Sequence, residues 1–253
     1  RAVSIDPAHS LADAFGLTLC HEPSIINSNL KGQEVEADKV LDKFREDYLW
    51  ELAEMMSGEK SDNSDSFEIA FAPKGWRQIV EQALPGIDEI LSLLTVIELL
   101  EEKQEDLIIL DTAPTGHLLR FLKMPSAIQD WLGWIFKLWI KYQDIIGKTE
   151  FMGRLRTLRQ RVVKAQKILK DPKQTEFLGV IRPQTGVIAE AERLYQSLAK
   201  MNIAQNYVVL NCCTSNSIVP RDKFPKAKVV CMPMLPRSIE PIEQIKGAAN
   251  YLF

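Results

Sequence analysis

The chain has 253 residues, a hydrophobic fraction of 46% and a formal net charge of −3. That length can bury a substantial core as one domain, or as one domain with a large insertion. The weak net charge supplies no field for nucleic acid or an anionic membrane, and no run reaches ~18 uninterrupted apolar residues, so neither a nucleic-acid partner nor a membrane span is expected.

In chain order, Ala2 to Ile5 reads as a short strand stopping at Asp6-Pro7, and Ser10 to Phe15 as the start of a helix. Val35 to Met56 is charged but helical in period, with Val40, Leu41, Phe44, Tyr48, Leu49 and Leu52 on one side. The polar stretch SGEKSDNSDS (Ser57 to Ser66) reads as a mobile loop, and Trp76 to Glu102 as helix broken near Pro85-Gly86. Leu107 to Leu110 is a buried strand, and a helix starts over Gly116 to Lys123. A very apolar helix follows at Ala127 to Gly147, then a basic amphipathic one at Met152 to Lys170. Thr175 to Arg182, Tyr207 to Asn211 and Lys228 to Met232 are further strands, separated by a helix at Val187 to Met201 and followed by one at Pro241 to Leu252.

Short apolar strands alternating with helices predict an α/β fold with a mostly parallel sheet. The expected organisation is a single domain, 1–253, with helical insertions at about 31–102 and 127–170.

Two segments carry the chemistry. In open parallel sheets, ligands bind beyond the carboxyl ends of the strands. VSID sets Asp6 at such an end, and LIILD sets Asp111 at another. A strand that feeds a carboxylate into a turn suits a metal or a water, because both need a fixed acceptor; magnesium in particular takes oxygen ligands and keeps waters. The plainer alternative is that each Asp caps the helix after it.

The tails of these strands carry a resemblance. DPAHSLADAF (Asp6 to Phe15) and DTAPTGHLLRFL (Asp111 to Leu122) resemble the two switch segments of the arsenical pump-driving ATPase family, which includes the ATPase that targets tail-anchored membrane proteins. AEAERL (Ala189 to Leu194), VVLN (Val208 to Asn211) and MPMLPRSIEPIEQI (Met232 to Ile245) follow in the family's order, so the resemblance covers nearly the whole chain.

It implies a fold of the P-loop NTPase type, a nucleotide-sandwich homodimer, ATP and magnesium as ligands, and a cytoplasmic location. Asp6 would polarise the water that attacks the γ-phosphate, within a first switch of Asp6, Pro7, Ala8 and His9. Asp111 would hold magnesium through water. Thr112, Ala113, Pro114, Thr115, Gly116 and His117 would sense the γ-phosphate and pass its loss to the helical insertion. Glu190 and Asn211 match nucleotide-contacting positions, and Pro233, Met234 and Leu235 match the loop that packs on the base. His9 and His117 are expected to be conformational, not catalytic.

Two features depart from the family. A P-loop needs strand, GxxxxGK[ST] and helix in that order. The only GK[ST] is Gly147-Lys148-Thr149, where Tyr142 stands in place of the first glycine and the preceding stretch reads as helix, so it is expected to be a decoy. The family's glycine-rich loop precedes the first switch. The expectation is therefore a sequence that begins inside a longer protein, about 30 residues late for a crossover of ordinary length; the alternative is a non-hydrolysing paralogue acting as a binding module. The four cysteines, Cys20, Cys212, Cys213 and Cys231, form no CxxC pair. They map neither onto the zinc pair of the targeting ATPases nor onto the pump's metalloid site, and scattered thiols fit a reducing compartment.

The apolar helix places Ile128, Trp131, Leu132, Ile135, Leu138, Trp139, Tyr142 and Ile146 along one face, and Trp134, Phe136 and Ile140 widen it. A core or dimer contact is the plain reading; a groove for a hydrophobic client helix or a contact with a membrane transporter is the sharper one. The basic helix carries Arg154, Arg156, Arg159, Arg161, Lys164, Lys167 and Lys170, expected as a solvated face.

Overall fold

The computed structural model describes residues 1–6, 10–49, 87–112, 115–146, 149–235 and 240–252. The expected loop at Ser57 to Ser66, the helix from Trp76 up to Gly86 and the end of the Val35 to Met56 helix lie outside them.

The described chain divides into two units. The first comprises 1–35, 104–119 and 166–253, and holds all the described strands. Strand β1 (Ala2–Ser4) is fully buried and pairs in parallel with β3 (Leu30–Glu34) on one side and β4 (Ile109–Asp111) on the other. β2 (Ser24–Asn27) adds antiparallel to β3, giving the order β2-β3-β1-β4. A second, all-parallel sheet has the order β5-β6-β7, from Leu178–Ile181, Tyr207–Cys213 and Lys228–Pro233. Its central strand buries Val208, Val209 and Leu210, a β-branched and aliphatic run suited to a strand covered on both faces.

Short helix α1 (Leu11–Phe15) packs on β3 and on the closing helix, Pro241–Leu252, which also packs on β7. Gly16 ends α1 in the left-handed region (φ 63), its N–H returning to the Ala12 and Asp13 carbonyls. A Cβ there would also stand 3.1 Å from Pro241 Cγ, so both the turn and the packing call for glycine. Gly32 answers a second close approach: a Cβ on β3 would lie 2.7 Å from Ile26 Cδ1.

At the amino ends of β1 and β3, Glu105 gathers cations. It accepts from Arg1 Nη2 and from Lys31 Nζ, each at 2.9 Å. The Arg1 main-chain nitrogen donates to the Leu107 carbonyl at 2.6 Å.

The second unit, 36–103 and 120–165, is helical throughout its described elements. α2 (Ala37–Phe44) passes into a π-helical turn (Arg45–Leu49) and packs on α3 (Ile87–Glu102). α4 (Thr115–Ile146) and α5 (Thr149–Lys170) run from one unit's residues into the other's. Ile128, Trp131, Leu132 and Ile135 of α4 are buried, as are Phe151, Leu155, Leu158 and Val162 of α5 and Leu93 and Ile97 of α3. These repeats at three and four residues are the core stripes of amphipathic helices. Exposed ion pairs, Lys43–Glu98 at 2.8 Å and Arg161–Glu101 at 2.7 Å, join α2 and α5 to α3 and contribute little each.

Three expectations need correction. The helical block does not start near Lys31, because Lys31 to Glu34 belong to β3, held by β1 on one edge and β2 on the other. The helices expected separately at Gly116 to Lys123 and Ala127 to Gly147 are one continuous helix, α4, with Pro125 inside it. Proline there removes one helical hydrogen bond, and the buried stripe on both sides of it offsets that loss. The described strands also form two sheets, not one.

Candidate functional site

The carboxyl ends of β3, β1 and β4 lie side by side, since Ser4 is in register with both Glu34 and Asp111. Ser4 Oγ donates to Asp111 Oδ2 at 3.3 Å, and Ile5 N donates to the Asp111 carbonyl at 3.0 Å. Asp6 follows directly. Three adjacent strands therefore deliver Glu34, Asp6 and Asp111 to one end of the sheet.

Burial is the main influence on Asp111 and pushes its carboxyl above the ordinary value; the Ser4 hydroxyl opposes this, while the charges of Asp6 and Glu34 add to it. A carboxyl shifted by burial and by neighbouring charges at a strand end is a candidate functional position. The donors are all oxygens, which fits a hard ion such as magnesium. Among the described residues, no group of three His, Cys, Asp or Glu is placed to hold a metal directly.

Glu34, which the sequence reading did not single out, stands at the same end of the sheet. It is 8% exposed, and its Oε1 accepts the Ala12 N–H at 2.7 Å. The first turn of α1 is thus capped from β3, while Ser10, at the N-cap position, makes no side-chain capping bond. No local signal marks it: LKGQE lacks the apolar run that leads VSID and LIILD to their acids.

Pro7, Ala8, His9, Ala113 and Pro114 lie outside the described residues. Thr112 directly follows β4, and Thr115, Gly116 and His117 form the start of α4. Gly147 and Lys148 lie outside the described residues; α4 ends at Ile146 just before them and Thr149 begins α5, so a helix precedes them where a P-loop requires a strand.

The second sheet carries the other expected residues. Asn211 lies near the end of β6, where its Oδ1 accepts the Cys212 N–H at 2.7 Å. Pro233 ends β7, and Met234, which follows it, is exposed. Glu190 is exposed on α6 (Thr185–Lys200). A shallow groove between the start of α6 and the segment after β6, lined by Thr185, Ile188, Thr214 and Ser217 among others, includes none of them.

The family model of the anion-transporting ATPases matches residues 2–224. An ATPase ASNA1 homolog of Babesia bovis is 29% identical over 222 residues, covering 83% of this chain and 56% of the relative. The ATPase GET3A of Arabidopsis thaliana is 26% identical over 282 residues, covering 98% of this chain and 73% of the relative. ATPase ASNA1 homolog 2 of Paramecium tetraurelia is 26% identical over 284 residues, covering 99% and 83%. The chain thus spans little more than half the length of the first of these relatives and about three quarters or more of the others. A family match over nearly the whole chain, on a fold that brings both Asp-led strand ends together, makes this protein a member of the anion-transporting ATPase family.

Proposed function

We propose that this chain is the nucleotide-responding part of an ATP-hydrolysing motor, one nucleotide-binding α/β domain whose helical insertions move with the state of the nucleotide. The carrying observation is the register that joins Ser4, Glu34 and Asp111 at the carboxyl ends of three neighbouring strands. Phosphoryl transfer asks mainly for positioning and charge neutralisation; the acids at this end of the sheet can position a water and a cation, and the cation would supply the neutralisation. Asp6 orients and polarises the attacking water. Asp111, steadied by Ser4, would hold magnesium through water, and the ion would neutralise phosphate charge. Thr112 to His117 relay loss of the γ-phosphate into α4, and Pro7 to His9 do the same into α1. Glu190, Asn211 and Pro233 to Leu235 contact the nucleoside. The working form is a homodimer in the cytoplasm.

The output is the drive of a membrane transporter or the handling of a hydrophobic client helix. Trp134 and Ile140, 46% and 61% exposed on α4, favour the client. Among the described residues no helix is long and apolar enough to cross a membrane, so this apolar surface is not a span.

The test is ATP hydrolysis by the full-length protein with magnesium, beside Asp6→Asn. Loss of a positioned acid–base group lowers turnover by ~10²-fold or more. Turnover that survives the substitution rejects the role given to Asp6. No turnover in the intact protein, with or without a hydrophobic client peptide, favours the non-hydrolysing binding module.

A further inference from the structure

We infer that Cys213 and Cys231 form a reversible disulfide across the β6–β7 pairing, by exchange with a low-molecular-weight disulfide. Leu210 pairs with Cys231 and Cys213 with Pro233, so three steps along β6 face two along β7. The extra residue is a bulge at Cys212, whose φ of 59 lies in the left-handed region. Beyond it the chain turns the Cys213 thiol back, and Sγ donates to the Leu210 carbonyl at 3.0 Å. Leu210 is the register partner of Cys231, so the two cysteines are brought to the same strand crossing, where the Cys231 thiol acts on Cys213.

The two thiols differ in a way that sets the order of steps. Cys231 is exposed and Cys213 half-buried. Burial first, and the neighbouring Cys231 thiol second, push the Cys213 thiol up to about 11. Cys231, the exposed sulfur, attacks one sulfur of the disulfide reagent as its thiolate, and the first thiolate leaves. Cys213 then loses its proton and attacks the Cys231 sulfur, releasing the second thiolate. Two cysteines lose two electrons and two protons, and one disulfide becomes two thiols. The new bond ties the strand end just after Asn211 to the segment leading into Pro233 and Met234. This chemistry does not depend on nucleotide hydrolysis.

The probe is oxidised glutathione. The full chain is incubated with it, blocked with iodoacetamide, digested without reductant and mapped by mass. The expected product is one intramolecular link between the peptides carrying Cys213 and Cys231, lighter by two hydrogens and reversed by dithiothreitol. The link survives Cys212→Ser and is replaced in Cys213→Ser by a glutathione adduct on Cys231. A link that persists in Cys213→Ser, a Cys212–Cys213 bond, or adducts alone in the unsubstituted chain overturns the inference. The unsubstituted map decides the matter if the serine variants do not fold.

Discussion

Ser4 and Asp111 are register partners across the β1–β4 pairing, and the Ser4 hydroxyl donates to the Asp111 carboxylate at 3.3 Å. The strand pairing thus presents the acid, and the hydroxyl favours its charged form against burial and two neighbouring carboxylates.

Asp111 is expected to lower stability at neutral pH. Its carboxyl lies above the ordinary value of 3.8 in the fold, so the folded chain holds that proton more tightly than the unfolded chain does. The stabilisation this brings is complete below the unfolded value and is lost as pH rises through the raised one. Asp111→Asn should therefore melt at or above the unsubstituted protein at pH 7 without nucleotide, the gap closing as pH falls below 4. Melting curves across that range check it, and a lower melting temperature at pH 7 rejects it. The same variant should lose magnesium-dependent hydrolysis, the trade between stability and activity common at functional sites.

Glu105 has the opposite sign. The Lys31 hydrogen bond first, and the Arg1 guanidinium after it, hold its carboxyl below the ordinary value. Its contribution is present above the unfolded value and is lost as pH falls through the folded one. Glu105→Gln should destabilise at pH 7 by ~1–3 kcal/mol, because the Arg1 side chain, 3% exposed, loses its carboxylate. Denaturant unfolding at pH 7 measures the loss, and a change under half a kilocalorie would show that the pair contributes nothing net.

Glu34 performs two tasks that two substitutions separate. Glu34→Gln keeps an acceptor for the Ala12 N–H but removes a negative charge beside Asp111. Glu34→Ala removes both. The alanine should cost about 1–2 kcal/mol through the uncapped first turn of α1, and the glutamine markedly less. Equal losses in chemical denaturation would leave the cap without effect.

The two faces of α4 should answer differently to substitution. Leu132 is fully buried, and Leu132→Ala should destabilise by ~2–5 kcal/mol. Ile140 is 61% exposed, and Ile140→Ser should change stability by less than ~0.5 kcal/mol while weakening capture of a hydrophobic helical peptide. Unchanged capture in a fluorescence binding assay would remove that face from the client site.

The strand ends at Asp6 and Asp111 were legible because each follows a short apolar run and leads into turn chemistry, although the second strand is Ile109–Asp111 with Leu107 and Ile109 exposed and not the buried run expected from Leu107 to Leu110. The helix at Pro241–Leu252 was legible for the same reason: its proline start and apolar period lie within one window. β3 was not. LKGQE is polar, lacks alternation, and becomes a strand through hydrogen bonds to β1 and β2, chosen by chain segments outside it. Glu34 went unseen with it, since nothing local says that this acid stands level with Ser4. Continuity of α4 through Pro125 likewise rests on long-range burial that outweighs a local helix breaker. The meeting of Cys213 with Cys231 depends on a bulge whose left-handed residue is not a glycine, so no residue pattern announces it. Patterns along the chain set which segments become apolar strands and where carboxylates end them; pairing register, a property of two segments together, set which of those ends stand side by side.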